Sequence, residues 1–225
     1  MTDPRGWRYA KVVAIGHDTP HSVTLRLDVP DRVRHLPGQH YVVRLTAEDG
    51  YRAQRSYSVA SAPADPLLEL FVERLDDGEV STYLADIVEP GDELEVRGPI
   101  GGWFAWNGDL PALGIGGGSG IVPMISMLRH NPDNFRVAAS VRTMADLPYA
   151  NELVAADALI AVTREDFRGR KGSRLTAQEL VPLYTPGAIC YVCGSAAFAE
   201  AASMLLLDIG VPTEDIRVER FGPSG

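Results

Sequence analysis

The stretch PALGIGGGSGIVPMISMLRH, residues 111–130, decides the fold. It opens on a near-continuous apolar run, PALGIGG, of the kind expected for a strand buried on both faces. It then passes through four glycines in the five positions Gly116–Gly120 and enters a helical pattern at Ile121. Glycines packed that densely let backbone come close to a ligand at the carboxyl end of a strand. The segments that follow repeat the alternation. FRVAASV (135–141), ALIAVTRE (158–165), AICYVCG (188–194) and DIRVERF (215–221) read as strands. DLPYANELVAAD (146–157), TAQELVPLY (176–184) and AAFAEAASMLLLDIG (196–210) read as helices between them. Strands alternating with helices imply right-handed crossovers and a doubly wound parallel sheet.

Upstream of residue 106 the pattern differs. WRYAKVVAIG (7–16), SVTLRLDVP (22–30), QHYVVRLTA (39–47), QRSYSVAS (54–61), LLELFVERL (67–75) and DELEVRGPIG (92–101) are short runs rich in β-branched and aromatic residues. Turn formers such as Pro37-Gly38 and Pro90-Gly91-Asp92 separate them. Val23, Leu25, Leu27 and Val29 alternate so as to share one face. Six such strands predict an antiparallel six-stranded β-barrel. One helix interrupts it, VSTYLADIV (80–88), entered at Gly78 with Ser81 as its expected cap. The expected organisation is two domains, 1–106 and 107–225, joined at WNGDLP (106–111).

The composition sets limits. The chain has 225 residues, 45% hydrophobic and 23% charged, near the averages for soluble domains. A net charge of −9 argues against nucleic acid as a partner, because that binding rests on basic patches. No apolar run approaches the roughly 20 residues that span a bilayer. MTDPRGWRYAKVV lacks the basic start and apolar stretch of a leader, so the expectation is a cytoplasmic protein with no membrane insertion. The two cysteines, Cys190 and Cys193, are too few for a four-cysteine metal or iron–sulphur site. Three apart on a strand, they point to opposite faces, which disfavours a dithiol. No metal site is expected.

Four segments carry chemistry. Arg55-Ser56-Tyr57-Ser58 lies on a barrel strand, where Arg55 and Tyr57 share a face. Gly78-Glu79-Val80-Ser81-Thr82 opens the barrel's helix, whose first turn offers free N–H donors to an anion. Gly116–Gly120 with Ile121 and Pro123 joins a strand to a helix; Ile121 stands where a dinucleotide fingerprint has its last glycine. Cys193-Gly194-Ser195 ends a strand and opens a helix. Each has an ordinary structural alternative: an alternating strand, a helix cap, a turn, a small buried hydrophobe.

In this order and placement the segments resemble the ferredoxin–NADP reductase superfamily, over nearly the whole chain. The resemblance implies an R-x-Y-S flavin strand, with Arg55 on a flavin phosphate, Tyr57 packed on the ring and Ser58 near N5. It implies that Gly78, Ser81 and Thr82 belong to a G-x-x-S/T segment holding flavin phosphates. Two phosphate-binding elements favour FAD over FMN. Gly117, Gly118, Ser119, Gly120 and Pro123 match the family's G-G-G-S/T-G-I-x-P turn for the nicotinamide nucleotide's pyrophosphate. Cys193 and Gly194 match its C-G motif beside the nicotinamide. Glu219 and Phe221 match a C-terminal glutamate and flavin-covering aromatic. Residues 222–225 extend beyond that aromatic, where plant-type members stop.

The implied activity is that of an NAD(P)H-dependent flavoprotein reductase, with Ser58, Cys193 and Glu219 at the hydride-transfer centre. Arg142 and Arg164, each just past a strand, are placed to meet a 2′-phosphate and favour NADP over NAD. With no cysteines for a cluster, electrons are expected to leave for a separate carrier, a ferredoxin or an oxygenase component. Arg26, Arg32, Arg34, Arg44 and Arg52 make the barrel half locally basic and suited to an acidic carrier. Two alternatives stay open: a free-flavin or ferric reductase with a small diffusible acceptor, and a non-catalytic flavoprotein relay subunit.

Overall fold

The computed structural model describes residues 6–221. Residues 1–5 of the segment read for a leader, and residues 222–225 after the C-terminal aromatic, lie outside the described residues. The chain divides into two compact units after Ala105.

The first unit contains β1 (Arg8–Gly16), β2 (Ser22–Asp28), β3 (His40–Thr46), β4 (Arg52–Ser58), β5 (Leu68–Glu73), α1 (Glu79–Asp86) and β6 (Glu93–Ile100). The strands pair antiparallel in the order β4-β3-β6-β1-β2-β5. Just past β4 the sheet closes on itself. Val59 bridges Leu70 of β5, and the Ala60 N–H donates to the Glu69 carbonyl at 2.9 Å. Closure leaves a barrel without a long open edge. The alternation expected in β2 holds, since Val23, Leu25 and Leu27 are all buried, with Val29 just beyond. They join Tyr41, Val43, Leu70, Val96 and the Val80 and Leu84 face of α1 in one core. The helix has no side-chain cap: Gly78 occupies that position, not Ser81. Ser81 lies inside the helix, where its hydroxyl donates to the Gly78 carbonyl at 3.1 Å and accepts from the Leu75 N–H at 3.2 Å.

The second unit contains β7 (Ala112–Gly117), α2 (Val122–His130), β8 (Phe135–Val141), α3 (Ala150–Ala155), β9 (Leu159–Val162), α4 (Ala177–Leu180), β10 (Ile189–Ser195), α5 (Ala196–Asp208) and β11 (Ile216–Phe221). Its five strands run parallel in the order β11-β10-β7-β8-β9. Chain order therefore reverses between β7 and β10, which is where open α/β sheets hold ligands. Two helices fall short of the sequence pattern. In 146–157 only Ala150–Ala155 is α-helical, entered by Tyr149 in the left-handed region at φ 55°. In 176–184 the α-helix ends at Leu180 and a 3-10 turn takes over at Val181–Leu183. Pro148 and Pro182 lack the N–H that a helix interior needs. No helix among the described residues is long and apolar enough to cross a membrane.

Candidate functional site

In the barrel, β4 presents the R-x-Y-S residues by simple alternation. Its register with β3 sets Arg55 opposite Val43, Tyr57 opposite Tyr41, and Ser58 opposite His40. Arg55 and Tyr57 thus lie on the face of the barrel core, and Ser58 on the other. Tyr57 packs against that core, and its phenol oxygen is buried without a hydrogen-bond partner. Burial pushes this phenol well above its ordinary pKa. A buried hydroxyl left unpaired costs about 1–3 kcal/mol, so Tyr57 carries an unmet need for a polar neighbour. That orphan fits a polar ligand laid along β4.

The start of α1 differs in one respect from the sequence reading. The Ser81 hydroxyl hydrogen goes to Gly78, and the Thr82 hydroxyl donates to the Leu75 carbonyl at 3.1 Å. Both side chains brace the 75–82 turn. What the segment offers an anion is its uncapped backbone N–H groups and the positive end of the helix. Gly78 is required there by space, because a Cβ on it would meet the Ser81 hydroxyl at 2.2 Å.

In the second unit the remaining residues converge on the sheet's switch point. Across the parallel ladders Gly116, Cys193 and Glu219 stand side by side on β7, β10 and β11. The glycine turn continues from β7 as one 3-10 turn, Gly118–Ile121, without a side-chain cap, and runs into α2. Pro123 sits in the first turn of α2, where no N–H is missed. Two glycines act differently. Gly120 is a packing residue: a Cβ there would lie 2.2 Å from the Cys193 carbonyl oxygen. Gly118 has φ +56° with nothing within 4 Å of its Cβ position, so it turns the backbone around open space. An open, uncapped turn at the carboxyl end of β7 fits a pyrophosphate.

Cys193 is fully buried. Burial and then the neighbouring Glu219 raise its thiol pKa, which keeps it protonated. It is no thiolate nucleophile. Cys190 is a core residue, its thiol pushed up to about 12 by burial. Glu219 is pushed up to about 7 by burial, so its charge changes near neutral pH. Ser195 caps α5 by accepting from the Phe198 N–H at 3.3 Å. Gly194 precedes it, opposite Arg220, and Phe221 at the end of β11 is exposed.

Arg142 and Arg164 are neighbours past the ends of β8 and β9, where the Arg164 N–H donates to the Arg142 carbonyl at 3.0 Å. Both side chains are exposed and have no partner among the described residues. The five barrel arginines are less available than their number suggests. Arg44 forms a bidentate pair with Glu95, both contacts 2.8 Å. Arg26 lies 3.9 Å from Glu69, and Arg32 donates to the Asp65 carbonyl. Arg34 and Arg52 remain. Among the described residues no cluster of His, Cys, Asp or Glu could hold a metal.

Sequence reasoning passed over two features. His40, directly opposite Ser58, is a half-buried imidazole whose pKa burial lowers. Its signal was the register of β3 against β4, which no local pattern prints. Tyr51 and Tyr83 line a groove beside the start of α1. An exposed aromatic next to the Asp49-Gly50 turn was the available cue.

Residues 8–104 match the family model described as "Oxidoreductase FAD-binding domain". The propane 2-monooxygenase reductase component of Gordonia sp. (strain TY-5) is 36% identical over 152 residues, which are 64% of this chain and 43% of that protein. A flavohemoprotein of Bacillus cereus (strain ATCC 10987 / NRS 248) is 33% identical over 84% of this chain and 54% of its own length. The chain therefore spans about half the length of these curated relatives. A solved ferredoxin NADP+ reductase from Neisseria gonorrhoeae with bound FAD and NADP shares the fold, with a TM-score of 0.78 at 22% identity. That similarity covers 95% of this chain and 98% of that one. The R-x-Y-S strand thus lies within the segment that matches the FAD-binding domain family, and the chain as a whole is similar to ferredoxin reductase-like FAD/NAD-binding proteins.

Proposed function

We propose that this protein is an FAD-dependent oxidoreductase that accepts hydride from NAD(P)H, with NADPH preferred, and passes electrons to a separate carrier. The observation that carries the reading is the switch point of the second unit, where the Gly118 turn and Cys193 adjoin, in a chain whose first unit is an FAD-binding domain. In this reading residues 1–105 hold the flavin and residues 106–225 the nicotinamide nucleotide.

FAD, when bound, supplies a ring that accepts hydride and releases electrons singly. The rest falls to the protein. Arg55 neutralises a flavin phosphate with its planar fork, and the first-turn N–H groups of α1 bind beside it. Tyr57 fixes the ring's position and Ser58 offers a hydroxyl at its edge. Gly117, Gly118 and Ser119 bind pyrophosphate through backbone, while Gly120 holds the turn against β10. Cys193, small and protonated, gives the nicotinamide a dry wall without competing as a nucleophile. Glu219, near its midpoint at neutral pH, holds or gives up a proton beside it. Arg142 and Arg164, unpaired and adjacent, supply the charge that a 2′-phosphate needs.

The acceptor proposed first is a ferredoxin or an oxygenase component. One observation supports a second reading, a small diffusible acceptor such as free flavin or a ferric chelate. Three of the five barrel arginines already have partners, which weakens the basic surface for an acidic carrier. The test is anaerobic titration of the flavin-loaded protein with NADPH and then NADH, following flavin absorbance. Bleaching by NADPH at lower concentration than by NADH is expected. A bound flavin that neither nucleotide bleaches would replace the reductase with an electron-relay subunit.

A further inference from the structure

Across the parallel ladder of β10 and β11, Tyr191 pairs with Arg217 and Cys193 with Glu219. Residues two apart on a strand share a face, so these four side chains form a two-by-two array on one side of the sheet. On β7 the partners of Tyr191 and Cys193 are Gly114 and Gly116, which bring no side chain. The opposite face of β11 belongs to Ile216 and Val218, which pack with Ala199, Ala202 and Leu206 of α5. Glu200 and Asp208 of α5, and Arg220 of β11, therefore lie away from the array.

Arg217 and Glu219 carry opposite charges, and their Cα atoms are about 7 Å apart along one strand face. An arginine side chain spans that distance, yet the guanidinium turns sideways. Its Nη1 donates to the Tyr191 hydroxyl oxygen at 3.2 Å, and its Cζ lies 5.5 Å from the centre of the Tyr191 ring. Tyr191 is a firm anchor, because at 1% exposure its ring has no room to swing. The electrostatics agree with this geometry. Burial pushes the Tyr191 phenol up to about 12, and the Arg217 charge draws it partly back. Burial raises the Glu219 carboxyl to about 7, whereas a guanidinium counter-ion would hold it below its ordinary value. Cys193, kept protonated by its own burial, adds no charge to the array.

We propose that Tyr191 is a positioning residue for Glu219: by holding the Arg217 guanidinium against β10, it keeps a counter-ion away from the Glu219 carboxyl. Tyr191 acts on Glu219 only through Arg217. The functional consequence rests on the reading above, which puts Glu219 beside the nicotinamide; the placement of Arg217 does not. A carboxylate paired with arginine stays ionised through the whole neutral range and has no proton to give. Buried without that partner, the same carboxyl is about half protonated near pH 7. Arg217 thus has two neighbours within reach, a phenol and a carboxylate, and its choice of the phenol leaves the carboxyl able to exchange a proton.

The experiment is an NMR titration of the carboxyl groups in the full chain, with the Glu219 signal assigned by its loss in Glu219→Gln. Wild type is expected to titrate at about pH 7. Tyr191→Phe removes the oxygen that accepts from Arg217, and the Glu219 midpoint should fall by about 1–3 pH units as the guanidinium moves to the carboxylate. Arg217→Met should leave the midpoint where it is in wild type, and adding it to Tyr191→Phe should restore that value. Phenylalanine keeps the ring and methionine keeps an apolar stem, so both variants preserve the packing. The restoration separates positioning from structure. If Tyr191→Phe only loosened the sheet and admitted water, the midpoint would fall with or without Arg217. A midpoint unmoved in Tyr191→Phe overturns the proposal, as does a fall that persists in the double variant. A rise in Arg217→Met overturns it too, because Arg217 would then already be the counter-ion. The flavin-loaded protein supplies a second readout, the pH midpoint of bleaching by NADPH. Bleaching that follows the Glu219 midpoint from variant to variant upholds both the proposal and the nicotinamide site. A carboxyl that moves as expected while bleaching ignores it upholds the positioning and ends the role given to Glu219 in the reading above.

Discussion

The two units offer ligands opposite kinds of surface. In the barrel, the candidate contacts are side chains: Arg55, Tyr57 and Ser58 alternate along β4, and the tyrosines of the groove stand in solvent. In the parallel-sheet unit they are mostly backbone, presented by glycines that leave room for it. The difference follows from where each sheet ends. A barrel strand presents side chains on both faces, here Arg55 and Tyr57 on the core side and Ser58 on the other. A parallel sheet is covered on both faces, and only the carboxyl ends of its strands are open. Substitutions should therefore separate binding from folding in the first unit and merge the two in the second.

Gly120→Ala gives the sharpest contrast. Its methyl would fall on the Cys193 carbonyl at 2.2 Å, where neither backbone can yield cheaply. A loss of about 3 kcal/mol or more is expected, read as lowered denaturant midpoint in the second unit. A variant of wild-type stability would break the view that this turn is packed rather than merely exposed. The pH response sharpens the comparison further, because the two units change with opposite sign. His35, fully buried in the barrel, has its pKa lowered to about 4, chiefly by burial and then against a bond to the Ser61 carbonyl. The unfolded chain binds this proton more readily, so its stabilisation is complete above the ordinary value of 6.5. It is lost as pH falls towards 4, about 3 kcal/mol in all. Glu219 runs the other way: its raised pKa favours the fold at low pH, and stability declines as pH rises from 4.5 to about 7. Segment-resolved hydrogen exchange on the full chain should show the barrel loosening in acid. The β10–β11 region should loosen towards neutrality, and Glu219→Gln should remove that second limb.

Arg55→Ala tests the barrel's side of the contrast. Flavin affinity should fall by about 2 kcal/mol, roughly thirtyfold, a larger change than the flavin-free protein suffers in melting when the Arg55 bond to the Gln54 carbonyl at 2.8 Å is lost. Gly118→Ala is the mildest change. Nothing obstructs its methyl, and only the left-handed backbone opposes it, costing about 1 kcal/mol. Its main effect should be on nucleotide affinity, seen as a higher NADPH concentration for half-bleaching.

Much of this was legible in the chain itself. The change of hydrophobic period near residue 106 separated an alternating barrel from a doubly wound sheet, because a half-exposed strand and a doubly covered one require different residues. The glycine turn and the R-x-Y-S strand were legible for the same local reason: backbone room and strand alternation are written within a few residues. Helix lengths around Pro148 and Pro182 were less so, since a proline states where a helix is interrupted but not which side keeps its hydrogen bonds. Ser81 and Thr82 read as ligand donors, yet their hydroxyls are used by Gly78 and Leu75, and only the turn's closure reveals that. The register that puts His40 opposite Ser58, the meeting of Gly116, Cys193 and Glu219 on three strands, and the groove between Tyr51 and Tyr83 belong to tertiary structure alone. Sequence fixes what lies near along the chain. Contacts between residues dozens of positions apart are chosen by strand order and packing, and those are settled only when the whole core is buried at once.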